Sequence, residues 1–238
     1  MKAFLLAAGL GSRLGALGRD LPKCLAPIGG RPLLDIWLEH LHRHGVEEVI
    51  ANTHHLAEQI ESFAAARNPP PHLHLAREEE LLGTASSVLR QRRRLAGDGP
   101  FFVIYADNLS DVDLSAMKAF HRDHGAPFTM ALFRSPEPEQ CGIAACAADG
   151  RILEFTEKPR NPASDLANAG IYLMEPALLE EFPYRPGLDF GFDLLPALVG
   201  RMYGWEMDAY LCDIGTPERL RRAEKAWLAR DGAFQGRP

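Results

Sequence analysis

The 238-residue chain has little of several features that would place it in a specialised class of protein. It has four cysteines, none in a CxxC pair, which excludes a disulfide scaffold and favours reduced thiols in a cytoplasmic protein. No apolar run approaches the roughly 20 residues of a membrane span, so we expect no membrane partner. The formal net charge of −6 disfavours a nucleic-acid partner. The histidines occur without HExxH or Cys/His zinc spacing, so we expect no zinc site.

Strand and helix patterns alternate along the first half of the chain, starting with an apolar strand over 1–8. This alternation predicts an α/β fold with a Rossmann-like, doubly wound, mostly parallel sheet. The second half carries shorter strands, two of them joined by the Asp149-Gly150 hairpin turn, and predicts a smaller lobe. The same patterns predict helices over 83–95, 114–124 and 192–202, a strand over 206–212, and a terminal helix from 216 to about 230.

A glycine-rich loop, GLGSRL at 9–14, follows the first predicted strand. Leu14 stands where the dinucleotide-binding pattern needs its third glycine, and no Gly-Lys-Ser/Thr follows, so both standard phosphate-loop motifs are disfavoured. The backbone amides can still surround a triphosphate, and Arg13 would add a cation with several donors. The loop alone is equally compatible with a structural turn carrying a surface arginine. Lys23, after Pro22, is by itself compatible with an ordinary surface lysine.

The segment LLAAGLGSRLGALGRDLPKCLAPIGGRPLL, at 5–34, resembles the signature of the nucleotide-sugar pyrophosphorylases, the sugar-1-phosphate nucleotidyltransferases. Further matches follow in that family's order: LLGTA at 81–85, Asp107, EKP at 157–159, NAGIY at 168–172 and DIGTPE at 213–218. The resemblance covers nearly the whole chain and is closest in look to short mannose-1-phosphate and manno-heptose-1-phosphate guanylyltransferases. It implies an enzyme that joins a nucleoside triphosphate to a sugar 1-phosphate, uses Mg²⁺ and releases pyrophosphate.

The resemblance also implies a domain organisation and a set of site residues. We expect one domain over 1–238, with a nucleotide-binding half at 1–125, a sugar-phosphate-binding half at 126–238 and no C-terminal β-helix. Metal binding is expected of Asp107 and Asp213, and catalysis of Arg13, Lys23 and Lys158. Nucleotide binding is expected of Leu6, Ala8, Gly9, Gly11, Gly83 and Thr84, and sugar binding of Asn108, Gly142, Glu157, Asn168 and Gly170.

The chemistry of the residues agrees with these roles. Two carboxylates at separate strand ends suit Mg²⁺, which takes few protein ligands and keeps some waters, although either Asp alone is more typical of a helix cap or turn. Glu157 alone is more typical of a surface ion pair. The second pKa of a sugar phosphate lies near ~6, so its attacking oxygen is already largely ionised at neutral pH, and we assign no general base.

The sequence leaves the nucleotide and the sugar open. GTP is favoured, with UTP, CTP and dTTP as alternatives, because the base is expected to be recognised by backbone groups. Cys24, Ala106 and Ser86-Ser87 depart from the commonest family pattern and leave the substrate walls uncertain. A choline-phosphate-type cytidylyltransferase and a non-catalytic regulatory homologue are the remaining alternatives. The latter is disfavoured because Arg13, Lys23 and both aspartates are present. A homo-oligomer is left open.

Overall fold

The computed structural model describes residues 1–67, 70–97 and 99–234, with side chains described up to residue 230. The strands are β1 Lys2–Leu6, β2 Pro27–Ile28, β3 Arg31–Pro32, β4 Glu48–Thr53, β5 His72–Arg77, β6 Phe101–Tyr105, β7 Asn108–Ser110, β8 Phe128–Arg134, β9 Gly142–Cys146, β10 Ile152–Glu157, β11 Leu166–Met174, β12 Met202–Glu206 and β13 Leu211–Asp213. The helices are α1 Ala16–Asp20, α2 Leu33–Arg43, α3 Ala57–Ala66, α4 Thr84–Arg90, α5 Arg92–Leu95, α6 Leu114–His124, α7 Leu178–Glu181, α8 Leu195–Leu198 and α9 Pro217–Phe234.

The chain divides into two compact units, each assembled from separate segments. The glycine-loop unit comprises Leu5–Glu79, Tyr105–Asp111 and the described residues from Tyr210 onward. The hairpin unit comprises Met1–Phe4, Glu80–Ile104 and Val112–Ala209. The division of function between 1–125 and 126–238 stays a prediction.

The glycine-loop unit contains parallel strands. The end of β1 lies beside β4, and β4 pairs in parallel with β5 from Glu48 opposite His72 to Thr53 opposite Arg77. Helix α2 buries its apolar face, including Trp37, which is why its apolar residues recur at helical spacing. Short strands β7 and β13 pair antiparallel and place Asp213 opposite Asn108.

The hairpin unit orders its strands β10-β9-β11-β6, with β8 between β11 and β12. The β9–β10 and β11–β6 pairs are antiparallel, whereas β12 pairs with β8 in parallel. Its core is aromatic: Tyr172 of β11 is fully buried and stacks on Phe190 with ring centroids 5.0 Å apart. This packing joins the sheet to the π-helical turn Phe190–Leu194.

The predicted mixed α/β class, with a central and mostly parallel sheet, is confirmed. Helix α6 has the predicted bounds because Asp113 accepts hydrogen bonds from the amides of Ser115 and Ala116, both at 3.0 Å, and Gly125 ends the helix in the left-handed conformation. The Asp149-Gly150 hairpin is also present.

Three predicted elements are wrong in their bounds. The helix over 83–95 is interrupted at Gln91, between α4 and α5. The helix over 192–202 is replaced by the π-helical turn and α8, because Met202 already pairs with Phe128 in β12. The strand over 206–212 is two strands, β12 and β13, joined through 207–210, where the sequence has neither Gly nor Pro to signal a turn.

Two further observations concern membrane-spanning helices and disulfides. Within the described residues, no helix combines the length and apolar composition needed to cross a bilayer. All four cysteines lie in the described part of the chain, and none forms a disulfide.

Candidate active site

Three charged residues of the glycine-loop unit meet at one point, and we call them the carboxylate cluster. Lys23 Nζ donates to Asp107 Oδ2 at 2.6 Å and to Asp213 Oδ1 at 2.9 Å. Asp107 follows β6 by two residues, Asp213 ends β13, and Lys23 begins the short turn Lys23–Leu25. Residues far apart in sequence are therefore joined by two short charge-assisted hydrogen bonds.

Two arginines approach Asp213 from the other side of its carboxylate. Arg219 Nη1, in the first turn of α9, lies 3.1 Å from Asp213 Oδ2, and Arg13 Nη2 lies 4.0 Å from the same oxygen. Burial acts to raise the pKa of Asp213, but Lys23, Arg13 and Arg219 together hold that pKa below its ordinary value. Asp213 is therefore ionised at neutral pH.

The glycine loop turns tightly beside this cluster within the same unit. Gly11 has φ 63°, and its carbonyl accepts from the amide of Leu14 at 2.9 Å. A side chain at Gly18 would collide with the Gly11 carbonyl, so glycine is required there. A Cβ at Gly9 would meet no described atom within 4 Å, so the Gly9 backbone is open to approach. The Arg13 side chain is 68% exposed.

A buried polar pair fixes the segment that leads into the loop. Asn52, at the end of β4, accepts from the Ala7 amide at 2.7 Å and donates to Glu78 at 3.0 Å. Leu6 lies just before and accepts from the Ala106 amide at 3.1 Å. These bonds fix the course of the backbone that continues into Ala8 and Gly9.

Asn108 and Gly215 adjoin Asp213. The Asn108 carbonyl accepts from Trp37 Nε1 at 2.6 Å, and Asn108 lies opposite Asp213 in the β7–β13 pair. A Cβ at Gly215 would lie 2.9 Å from both Asp213 carboxylate oxygens and 3.2 Å from Arg13 Nη2. Glycine at this position therefore leaves room for the carboxylate.

Glu157, at the end of β10 in the hairpin unit, lies against two glycines. A Cβ would lie 2.5 Å from Glu157 Oε2 at Gly142 and 2.6 Å from it at Gly191, so neither position accepts a side chain beside this carboxylate. Burial raises the pKa of Glu157. The positive charge of Lys158 acts to lower this pKa, and the negative charge of Asp189 raises it further. Glu157 is therefore a weaker acid than an exposed glutamate.

Lys158 follows Glu157 in an unusual backbone conformation. Its φ is 48°, in the left-handed region that residues with a Cβ seldom adopt, and its amide donates to the Cys141 carbonyl at 3.0 Å. Strain of this kind is kept where the surrounding structure enforces it, often at functional sites.

Asn168 and Gly170 form an irregularity in β11. The pairing register with β8 shifts between Asn168 and Tyr172, and Gly170 has φ 68°. Asn168 Oδ1 accepts from the Gly170 amide at 2.9 Å, and Asn168 Nδ2 donates to the Tyr172 hydroxyl at 2.8 Å. The Asn168 side chain therefore stabilises this bulge.

Gly83 and Thr84 are packed against the segment that ends in the π-helical turn. A Cβ at Gly83, whose φ is 90°, would lie 2.5 Å from the Leu188 carbonyl oxygen. Thr84 Oγ1 donates to Asp189 at 2.7 Å and accepts from the Phe190 amide at 2.8 Å. The Thr84 hydroxyl is therefore engaged in bonds internal to the hairpin unit.

The model of the Nucleotidyl transferase family matches residues 2–230. The chain belongs to this family. It is 33% identical over 224 residues to the zebrafish (Danio rerio) mannose-1-phosphate guanylyltransferase catalytic subunit beta, covering 92% of this chain and 62% of that protein. The chain therefore spans about three fifths of the length of that relative. A crystal structure of HddC from Yersinia pseudotuberculosis complexed with GMP-PN superposes with a TM-score of 0.79 at 25% identity, covering 95% of this chain and 99% of that one.

A relative of similar length is also found. The D-glycero-α-D-manno-heptose 1-phosphate guanylyltransferase of Aneurinibacillus thermoaerophilus is 32% identical over 227 residues, covering 94% of this chain and 97% of that protein. The predicted membership of the nucleotidyltransferases is confirmed.

As a nucleotidyltransferase family member, the chain has a carboxylate cluster whose donors fit a divalent cation. Lys23 Nζ contacts one oxygen of each aspartate, so both carboxylates are directed at one point where a cation is accommodated. Hard oxygen donors from few side chains suit Mg²⁺, which completes its shell with water and phosphate. Among the described residues no group of three or more His, Cys, Asp or Glu side chains forms a metal site.

The family departure at Cys24, next to Lys23, adds no reactive group. Burial raises the pKa of the Cys24 thiol to about 12, and the charge of Asp107 acts in the same direction. Cys24 is therefore a neutral, buried side chain at neutral pH and fills space beside the cluster.

Sequence analysis brought together Lys23, Asp107 and Asp213 but missed Arg219 and Asn52. In the sequence, Arg219 is one of several arginines early in α9 and nothing distinguishes it from Arg221. Asn52 is the penultimate residue of β4 and belongs to none of the family motifs. Its buried position inside the strand pattern was the available signal.

Proposed function

We propose that this chain is a Mg²⁺-dependent nucleotidyltransferase that joins a nucleoside triphosphate, with GTP favoured, to a sugar 1-phosphate and releases pyrophosphate. The observation that carries the proposal is the carboxylate cluster: two aspartates from separate strand ends directed at one cation, in a family member. The names of the mannose and manno-heptose guanylyltransferase relatives support the choice of GTP and of a manno-configured sugar phosphate. Four cysteines without a disulfide support a cytoplasmic location.

The main obstacle to the proposed reaction is electrostatic repulsion, because a sugar phosphate dianion must approach a negatively charged triphosphate. The attacking oxygen is already largely ionised at neutral pH, so no residue is needed to remove a proton. Asp107 and Asp213 would hold Mg²⁺, whose chemistry here is to neutralise charge on the triphosphate oxygens. Arg13, 68% exposed on the glycine loop, is suited to contact the triphosphate and the departing pyrophosphate.

The two substrates are assigned to different residues. We propose that backbone groups around Leu6, Ala8, Gly9 and Gly11, and at Gly83-Thr84, bind the nucleotide. Lys158 is proposed to hold the sugar phosphate as a positioned cation. Glu157 and Asn168, with Asn108 and the backbone at Gly142 and Gly170, are proposed to bind the sugar hydroxyls.

The test is a pyrophosphate-release panel. GTP, UTP, CTP, dTTP and ATP are each combined with glucose, mannose, N-acetylglucosamine, muramic-type and heptose 1-phosphates in the presence of Mg²⁺. A site that hydrogen-bonds one base edge leaves polar groups unpaired with the wrong base, so we expect at least ~30-fold preference for GTP. Fastest release with UTP or dTTP would contradict the guanylyl assignment alone. No release from any pair would contradict the proposed enzyme activity.

A further inference from the structure

The carboxylate cluster carries its own cations on both sides. Lys23, whose side chain is only 8% exposed, contacts one oxygen of each aspartate. Arg219 contacts the second oxygen of Asp213 at 3.1 Å. Both oxygens of Asp213 therefore have a positively charged partner supplied by the chain, and Arg13 adds a third cation 4.0 Å from one of them.

These charges determine how strongly the carboxylate cluster attracts a divalent cation. The two carboxylates contribute −2, and Lys23 with Arg219 contributes +2, so the four groups together are neutral. A divalent cation arriving alone must displace an ammonium or approach a guanidinium of like charge, with little net attraction to offset the loss of its water. A triphosphate changes this balance, because its negative charge attracts both the metal ion and the two side-chain cations.

We propose that the carboxylate cluster binds a divalent cation only together with an anionic nucleotide, and that Arg219 enforces this by contacting Asp213. Arg219 is a positioning residue that acts through Asp213. The inference deepens the proposed function, because it concerns the same two aspartates.

The first measurement is retention of Mn²⁺ with the wild-type chain by ultrafiltration through a membrane that nucleotides pass. No sugar phosphate is added, so no reaction occurs. Mn²⁺ is tested alone, with GTP, and with inorganic tripolyphosphate, whose binding does not depend on the base. We expect retained Mn²⁺ to rise at least ~10-fold with GTP or tripolyphosphate, as several negative charges are added near the cation. Equal retention with and without the anions would overturn the proposal.

The second measurement compares Arg219→Met with Arg221→Met. Both variants remove one positive charge from helix α9, but Arg221 is exposed and Arg219 contacts Asp213. Loss of a unit charge about 6 Å from a divalent ion changes its affinity on the order of tenfold even at the dielectric constant of water. Arg219→Met should therefore bind Mn²⁺ alone about tenfold more tightly than wild type, whereas Arg221→Met should not. Identical Mn²⁺ affinities in the two variants would contradict the role of Arg219.

Lys23→Met provides a third comparison, because it leaves two carboxylates facing each other without their shared cation. We expect it to bind Mn²⁺ alone at least ~10-fold more tightly than wild type, and its melting temperature to rise when Mn²⁺ is added. Circular dichroism establishes that the variant is folded, and Arg219→Met decides the question if it is not. These binding results are independent of turnover, so failure of the pyrophosphate-release panel and failure of this inference are separate outcomes.

Discussion

The Thr84 hydroxyl shows that a residue in a motif expected to bind substrate can also stabilise the fold. It donates to Asp189 and accepts from the Phe190 amide, which joins the start of α4 to the π-helical turn. Its neighbour Gly83 accepts no side chain because the Leu188 carbonyl occupies the space. Any contact of this segment with a nucleotide is therefore expected to use backbone groups.

Replacement of Thr84 by Val should test this structural task. The change removes both hydrogen bonds while keeping the β-branched shape, so we expect a loss of about 1–3 kcal/mol in the free energy of unfolding. Thr84→Ser, which keeps the hydroxyl, should lose much less. Chemical denaturation of the three proteins measures the effect, and equal stability of the Val and Ser variants would contradict it.

At Lys158, the effect of the side-chain charge can be separated from the effect of the backbone strain. Because φ is 48°, Lys158→Gly should relieve strain, whereas Lys158→Ala should retain it. Both variants lose the ammonium group, so both should raise the KM for the sugar phosphate and leave the KM for the nucleotide nearly unchanged. Arg13→Ala should mainly impair use of the triphosphate. Steady-state kinetics with each substrate varied tests the division; a Lys158 effect confined to the nucleotide KM is the contrary result.

Among single residues, those in recognised motifs were predictable and those that support them were not. Lys23, Asp107 and Asp213 were grouped from the sequence, and the structure does bring them together. Arg219 and Asn52 act through contacts that depend on how separate segments fold together, which spacing along the chain does not reveal.

At the scale of elements, prediction succeeded where both ends of an element carry a signal. Helix α6 has a capping Asp113 and a terminating Gly125, and its predicted bounds are the observed ones. The predicted strand over 206–212 was wrong because the chain turns through 207–210 without Gly or Pro. The left-handed Lys158 likewise carries no sequence signal, because tertiary packing imposes that conformation.

Helix α6 also ends in a chain of hydrogen bonds between two histidines and their neighbours. The Ala126 amide donates to His124 Nδ1 at 2.9 Å, so His124 carries its proton on Nε2 and donates to Thr129 Oγ1 at 2.8 Å. The Thr129 hydroxyl also shares a hydrogen bond with His121 Nδ1 at 2.7 Å, and His121 Nε2 lies 3.3 Å from a carboxylate oxygen of Glu175. Because His124 Nδ1 accepts a hydrogen bond from a backbone amide, the arrangement requires His124 to be neutral.

This chain of hydrogen bonds predicts that the hairpin unit loses stability at acidic pH. Burial lowers the pKa of His124 to about 4, helped by His121 and opposed by Asp123, and burial also lowers the pKa of His121. A lowered histidine pKa means that stability is present above the unfolded value near ~6.5 and is lost as pH falls toward 4. We expect a loss of on the order of 1 kcal/mol from His124, allowing for solvent screening.

The measurement is the free energy of unfolding of wild type and His124→Gln between pH 7.5 and 4.5. The variant should lose less stability over this range, because it has no imidazole to protonate. His42→Gln, at an exposed position of α2, is the matched control and should follow wild type. The same pH dependence in His124→Gln and wild type would contradict the assignment.

At the scale of the whole molecule, the sequence predicted the fold class and the family, and both are confirmed. The assignment of chain segments to the two units was not predictable. Each unit draws on three separate segments, because the chain passes from one unit to the other at residues 4–5, 79–80, 104–105, 111–112 and 209–210. Such crossings depend on which strands are neighbours, and a linear pattern of strands and helices does not contain that information.

The central claim, that Asp107 and Asp213 make this chain a metal-dependent nucleotidyltransferase, is tested most directly by Mg²⁺-dependent pyrophosphate release. Wild type, Asp107→Asn and Asp213→Asn are compared using the substrate pair that reacts fastest, with Asp208→Asn, an exposed aspartate, as the control. Each site variant should lose at least ~100-fold in turnover, about 2.7 kcal/mol of transition-state stabilisation, while the control keeps wild-type turnover. Near-normal Mg²⁺-dependent release by either site variant would contradict the account.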